Sequence, residues 1–265
     1  MKPIPVLGIP HFNRPDLLLR CLASIDYPVE HLVIIQNGLD KDMPPLVSVW
    51  HELDHLPPDH QPGQPVNDYV RHVKKLTVLK FDPQAGVAGA WNTIIKQFCA
   101  PWWLIANNDI RFAPGDLEKM GDCVTATMDK TSAAGLFYGN HGASWFGITA
   151  GCVALAGLFD ENLYPAYLED CDYARRCDLL GVARVNVPDC AAEHGDERLT
   201  GSCTVNATPE LQQNNMRTHG GNFEYYRAKW GGLNGRETFS TPFNEPHWPI
   251  DFSRFDPFRR AKQLW

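Results

Sequence analysis

The apolar positions of this chain fall into two alternating periods. Short continuous apolar runs occur at Val6-Leu7-Gly8-Ile9, at His31-Leu32-Val33-Ile34-Ile35, at Leu76-Thr77-Val78-Leu79-Lys80-Phe81 and from Trp102 to Ile110. Runs of that kind read as strands covered on both faces of a mostly parallel sheet. Between them, apolar residues recur at helical spacing: Leu17, Leu18, Cys21, Leu22 and Ile25; then Val87, Trp91, Ile94, Ile95 and Phe98; then Leu117, Met120, Val124 and Met128. Each set makes one stripe along a helix that packs on a sheet. Pro15 and Asp16 open the first of these helices, with proline at the first helical position and an acid in the first turn. Strand and helix therefore alternate, and the pattern predicts an α/β fold.

Further along, Ala133 to Phe137 and Phe146 to Thr149 read as strands around the loop Tyr138-Gly139-Asn140-His141-Gly142. A helix is expected from Glu169 to a glycine stop at Gly181, then a last strand from Ala183 to Val187, and Glu193-His194-Gly195-Asp196 in the loop beyond it. From Thr208 the chain is polar and helical to about Trp230, then aromatic and proline-rich to Trp265. Residues 40 to 72 break the alternation, with prolines on both sides of one short helical segment from Leu46 to about His55. There is no internal repeat.

Composition narrows the function classes. A chain of 265 residues accommodates one large or two small domains, and the expected division is a principal domain over 1–204 with a C-terminal extension, 205–265, packed on it. The net charge of −7 argues against a nucleic-acid binder that works by neutralising phosphates. No apolar run approaches the roughly 18 residues of a membrane helix, and Met1 to Pro5 lacks a signal-peptide core. The protein is expected to be soluble and cytoplasmic. The eight cysteines form no C-x-x-C pair and read as free thiols.

The strongest chemical signal is the place where the Trp102 strand stops, on Asn107, Asn108 and Asp109. Ligands of open α/β sheets bind at the carboxyl ends of strands, and hard oxygen ligands suit Mg²⁺ or Mn²⁺ on phosphate oxygens. An Asx-rich turn that only ends a strand gives the same letters. The stretch Gly86-Val87-Ala88-Gly89-Ala90-Trp91-Asn92 is a glycine-rich helix start, suited either to close approach of a phosphate or ribose or to tight helix–strand packing. Glu169, Asp170 and Asp172 fall in the first turn of a helix, where the dipole favours ionised carboxylates; that suits a general base, and it also stabilises helices generally. A competing pattern is His51-Glu52-Leu53-Asp54-His55, an H-E-x-x-H pentad of the zinc-protease type. Pro57-Pro58 ends its helix at once and no third ligand follows on a second helix, so a solvated histidine-rich face explains it as well.

The order of these pieces resembles the family 2 type of GT-A glycosyltransferases, particularly the rhamnosyltransferase-like branch. The matching words are Phe12-Asn13-Arg14-Pro15 with Leu18 to Ile25, Gln36-Asn37-Gly38, Gly86 to Asn92, Asn107-Asn108-Asp109, Gly157 to Glu161, Glu169-Asp170-Cys171-Asp172, and His194, together covering about residues 4 to 200. The resemblance implies a GT-A domain over 1–204 with a Rossmann-like, mostly parallel sheet flanked by helices. It implies a nucleoside-diphosphate sugar donor (UDP-, GDP- or dTDP-linked), a carbohydrate acceptor, a Mn²⁺ or Mg²⁺ cofactor, and inverting transfer to an acceptor hydroxyl.

By that resemblance the loop Pro10, His11, Phe12, Asn13 and Arg14, with Asn37, would cradle the nucleotide. His11, Phe12, Asn13 and Asn37 would face the base. Gly86 and Asn92 would lie on the ribose or sugar side, and Asn107 and Asn108 beside the donor. Asp109, the last position of the D-x-D-like element, would hold the metal, with His194 as a late metal or diphosphate contact. Asp170 would deprotonate the acceptor, and Glu169 would orient the acceptor or the base. Three positions depart from the family pattern: Gln36 stands where an Asp is usual, Asn107 where D-x-D has its first Asp, and Trp91 where an Arg is usual. Two other classes share these features, a nucleotidyltransferase and a non-catalytic nucleotide-sugar-binding domain.

Overall fold

The computed structural model describes residues 2–38, 71–81, 85–130, 134–199 and 201–248. The segment that carries the H-E-x-x-H pentad lies outside the described residues, as does the end of the chain beyond 248.

The expected strands form one seven-stranded sheet. They are β1 (Leu7–His11), β2 (Val29–Gln36), β3 (Val73–Lys80), β4 (Trp102–Ala106), β6 (Gly135–Gly139), β7 (Gly142–Thr149) and β8 (Ala183–Asn186), in the order β3-β2-β1-β4-β7-β6-β8. β1 to β4 are mutually parallel where they pair, and β7 runs antiparallel to both β4 and β6. β8 adds in parallel to β6. Two further short strands, β5 (Ile110–Arg111) and β9 (Glu193–His194), form a separate antiparallel pair with Ile110 opposite His194.

β4 shows why the sheet is covered on both sides. Its five residues are all buried, and they divide by alternation. Trp102, Leu104 and Ala106 join Leu18, Cys21 and Leu22 of α1 (Pro15–Ala23) and Leu117, Met120 and Val124 of α3 (Asp116–Lys130) on one face. Trp103 and Ile105 join Trp91, Ile94 and Ile95 of α2 (Gly86–Gln97) on the other, together with Cys152 and Ala156 of α4 (Ala150–Ala156) and Tyr173 and Cys177 of α5 (Glu169–Leu180). A run without polar alternation is what that double burial requires.

Three elements differ from expectation. The segment Tyr138 to Gly142, read as a loop, mostly continues the strands into a tight hairpin. Gly139 permits this, because a Cβ there would stand 1.8 Å from the Trp145 indole. α4 was hidden in a short small-residue sequence with no apolar stripe; the Thr149 hydroxyl caps it by accepting from the Cys152 N–H at 3.2 Å. Glu193 and His194, expected in a loop, are in β9.

α6 (Pro209–Trp230) starts where the Thr208 hydroxyl accepts from the Leu211 N–H at 3.3 Å and ends at Gly231, whose φ is 72°. It packs over residues 160–172 through Tyr226 and Trp230 against Leu163 and Leu168. A buried charge network fastens the same contact. Lys229 Nζ lies 2.8 Å from Asp160 and 2.6 Å from Asp172, and Asp172 also receives Arg176 Nε at 3.0 Å and Trp230 Nε1 at 2.8 Å. No described helix is long and apolar enough to cross a membrane.

Candidate functional site

The carboxyl ends of β1, β2 and β4 open on a cavity of about 270 Å³, closed on the far side by the start of α5. Of the residues expected at a donor site, Pro10, His11, Phe12, Asn37, Gly86, Asn107, Asn108, Asp109, Glu169, Asp170 and His194 line it. Asn13, Arg14 and Asn92 do not. Asn92 is fully buried, and its carboxamide is committed to the protein: it donates to the Phe159 carbonyl and to Glu161, both at 2.9 Å, and accepts from the Phe159 N–H at 2.8 Å. That asparagine ties α2 to the loop before α5, which corrects the expectation of a ribose or sugar contact. Asn13 donates to the Thr204 carbonyl at 2.8 Å, and Arg14 pairs with Asp196 at 2.8 Å. These contacts tie Thr204 and Asp196 to the β1 loop.

Two of the lining carboxamides also hold the walls together. Asn37 donates to the Gly86 carbonyl at 3.0 Å and accepts from the Ala85 N–H at 2.9 Å, joining the end of β2 to the start of α2. Asn108 meets His11 Nδ1 at 3.0 Å and the Asn13 carbonyl at 2.9 Å, joining the β4 turn to the β1 loop. In the Asx-rich turn, Asn108 thus shapes the loop, while Asp109 stands on the cavity wall.

Asp109 faces His194, whose Nε2 lies 3.2 Å from Asp109 Oδ1. The pairing of Ile110 with His194 sets that separation. Arg20 of α1 reinforces it from behind, its Nη2 donating to the carbonyls of Asp109 and Gly195. His194 Nε2 is shielded from solvent and makes no hydrogen bond, though it lies within ion-pair distance of the Asp109 carboxylate. That donor set fits a divalent cation of the Mn²⁺ or Mg²⁺ type. Among the described residues no group of three or more His, Cys, Asp or Glu side chains is placed to hold a metal. The remaining coordination would fall to phosphate oxygens and water, as is common for such cations.

The opposite wall is strained. Tyr167 and Leu168, immediately before α5, have φ of 80° and 73°, a region that bulky side chains seldom adopt. Asn222 of α6 holds this turn by donating to the Ala166 carbonyl at 2.8 Å and the Tyr167 carbonyl at 3.3 Å. The turn swings Glu169 and Asp170 onto the cavity wall. Asp170 is half-buried, with Oδ1 accepting from the Cys171 N–H at 2.8 Å. Glu169 is buried, its Oε2 has no hydrogen-bond partner, and burial together with the neighbouring Asp170 charge pushes its carboxyl well above the usual range. Glu169 therefore lies buried behind the more accessible Asp170.

Sequence reasoning missed Tyr167, His141, Ser144, Ser202 and Thr204, which also line the cavity. Tyr167 donates to Ser202 Oγ at 2.8 Å, and its place two residues before Glu169 was the available clue. Ser202 and Thr204 lie beyond the last recognisable motif, and nothing in their letters marks them.

Comparison with known proteins sets this geometry in context. No family model matches the chain. A curated protein of Leishmania donovani described as a galactofuranosyl glycosyltransferase is 25% identical, over 67% of this chain and 53% of its own length. The chain therefore spans about half the length of the curated relative it matches. Among solved structures, a mannosyltransferase from Pyrobaculum calidifontis in complex with GDP-Man and Mn²⁺ superposes with a TM-score of 0.51 at 17% identity, over 72% of this chain and 56% of that one. GalNAc-T7 with UDP, GalNAc and Mn²⁺ gives 0.55 at 10% identity, over 85% and 50%. These likenesses show the fold, and the fold is GT-A.

Proposed function

We propose that this chain is a metal-dependent, inverting glycosyltransferase that moves a sugar from a nucleoside-diphosphate donor to an acceptor hydroxyl, within the family 2-type, rhamnosyltransferase-like branch of the GT-A enzymes. The observation that carries the reading is one cavity with Asp109 and the unpartnered His194 Nε2 on one wall and Asp170 on the other. The donor's phosphates belong at the first wall and its sugar between the two. The galactofuranosyl glycosyltransferase relative and the nucleotide-sugar and Mn²⁺ complexes of the structural neighbours favour the same assignment.

In this mechanism the β1 loop and the turn around Asn37 hold the nucleotide against the strand ends. Asp109 and His194 would bind the divalent cation, which when present neutralises charge on the leaving diphosphate. Asp170 accepts the proton of the acceptor hydroxyl as that oxygen attacks the anomeric carbon from the face opposite the diphosphate. Glu169, one residue earlier and raised well above the ordinary range by burial and the Asp170 charge, would hydrogen-bond in its protonated form without adding charge.

The test is incubation of the full chain with UDP-, GDP- and dTDP-linked sugars, with Mn²⁺ and with chelator, while identifying the released product. Release of a nucleoside diphosphate only in the presence of metal is expected. Pyrophosphate release from a nucleoside triphosphate would indicate a nucleotidyltransferase instead, and metal-linked binding without turnover toward any acceptor would indicate a binding domain.

A further inference from the structure

One wall of the cavity carries a buried hydrogen-bond donor that the protein leaves unused. Trp91 of α2 lines the cavity and is only 2% exposed, and its Nε1 has no hydrogen-bond partner among the described residues. Three other buried indoles all donate: Trp103 to the Phe98 carbonyl at 2.6 Å, Trp145 to Asn140 Oδ1 at 3.3 Å and Trp230 to Asp172 Oδ1 at 2.8 Å. A buried N–H without an acceptor is destabilising, and folded proteins leave few of them. The exception falls at the cavity, where an acceptor can arrive with a ligand.

The indole is held firmly in place. Its ring meets Phe146 of β7 edge-on at 5.0 Å and Phe159 at 4.8 Å, and Phe159 in turn stacks on Tyr173 of α5 at 4.2 Å. The next residue, Asn92, ties the same turn of α2 to Phe159 and Glu161. These contacts set the indole toward β7 and α5, whereas the loops proposed to hold the nucleotide follow β1 and β2, on the other side of β4 in the sheet. A second buried atom without a partner, Glu169 Oε2, belongs to the start of α5 and lies on the same cavity.

We propose that Trp91 is a specificity-determining residue for the transferred sugar, its Nε1–H donating to the oxygen of one sugar hydroxyl. The inference rests on the glycosyltransferase reading and deepens it, by naming a residue that recognises the sugar rather than the nucleotide. An indole offers a single donor, in a direction fixed by its packing, and no charge; that suits a hydroxyl. Because the N–H is already shielded from water, it gives up no hydration when the hydroxyl binds. A site built in this way rejects an analogue that lacks the hydroxyl, since the buried polar group is then left unpaired. Trp91 also departs from the family pattern, so the contact belongs to this chain's own choice of sugar.

The experiment first measures, by calorimetry with Mn²⁺, the affinity of the full chain for UDP, GDP and dTDP and for UDP-glucose, UDP-galactose, GDP-mannose and dTDP-rhamnose. Trp91→Phe keeps an aromatic ring in the same packing and removes the N–H. Its affinity for the donor that binds should fall about three- to tenfold, while its affinity for the matching nucleoside diphosphate is unchanged. Loss of both to the same extent, or of neither, overturns the inference. Monodeoxy analogues of the same donor give a second reading that needs no variant. In the unmodified protein one of them, lacking the hydroxyl that Nε1 meets, should bind about three- to tenfold more weakly than the donor, and Trp91→Phe should not distinguish that pair. Analogues that all bind as tightly as the donor, or differences that all survive in Trp91→Phe, overturn the inference as well. Binding of a nucleoside diphosphate with rejection of all four donors also overturns it and leaves nucleotide recognition standing. Failure of every nucleoside diphosphate and every donor to bind overturns the glycosyltransferase reading itself.

Discussion

His194 Nε2 stands 3.2 Å from Asp109 Oδ1, yet that buried nitrogen makes no hydrogen bond. We propose that this pair, a carboxylate and an imidazole nitrogen without a hydrogen bond, supplies the protein ligands of the cation. Replacing either would remove one of these proposed ligands. Asp109→Ala and His194→Ala should each weaken Mn²⁺-linked binding of the nucleoside diphosphate by about tenfold or more, the scale of disturbing a metal site. Titration calorimetry with and without Mn²⁺ measures this directly, and unchanged metal-linked affinity in both variants would remove the metal from the mechanism.

Asp170 is the proposed base, and it also sits in the first turn of α5, where a carboxylate stabilises the helix. The two roles separate in Asp170→Asn. Loss of proton acceptance should lower turnover by about 10²- to 10⁴-fold, whereas loss of the dipole contact alone costs only about 0.3 to 1 kcal/mol. Donor affinity, turnover and melting temperature measured on one preparation decide between them. A folded variant that binds donor and turns over normally would sink the assignment.

Much of this site could be read from the letters, and the reason is local. β1, β2, β4 and α2 announce themselves by burial on two faces or by one apolar stripe, and a strand stopping on Asn107-Asn108-Asp109 marks its own carboxyl end. What could not be read depends on partners distant in sequence. Asn92 carries a recognisable word, but its amide meets Phe159 and Glu161, some seventy positions away. The resemblance alone names His194 beside Asp109; the pairing of Ile110 with His194 that sets their separation runs across a two-residue ladder too short to leave a pattern. Lys229, within a stretch legible only as polar and helical, is fully buried.

That lysine supports a prediction about how the C-terminal helix is attached. Lys229 bridges Asp160 and Asp172, both fully buried, so Lys229→Met leaves Asp160 without its cation, while Asp172 keeps Arg176. Removing one partner of a buried pair costs about 3 to 5 kcal/mol. If α6 and the sheet unfold as one unit, the variant should show a single, earlier transition in chemical denaturation. Restoring neutrality with Asp160→Asn in the Lys229→Met background should recover part of the loss. A second, separate transition in the unmodified protein would show that α6 folds on its own.

Glu169 gives the last prediction, and its sign follows from linkage. Burial and the Asp170 charge raise its carboxyl well above the ordinary range in the folded chain, while in the unfolded chain it titrates as an ordinary glutamate. Between those two points the folded state binds more protons than the unfolded state, so stability falls as pH rises through that window. Glu169→Gln keeps the size and hydrogen-bonding capacity but has no proton to lose. The variant should therefore be close to the parent in melting temperature at about pH 4.5 and become progressively more stable than the parent as pH rises toward about 8. The same substitution should leave turnover largely intact if Glu169 acts in its neutral form beside Asp170, and should reduce it sharply if an ionised Glu169 is needed to orient the acceptor. Melting curves and initial rates across that pH range read both, and a variant that loses stability relative to the parent at high pH would mean that Glu169 is ionised in the folded protein.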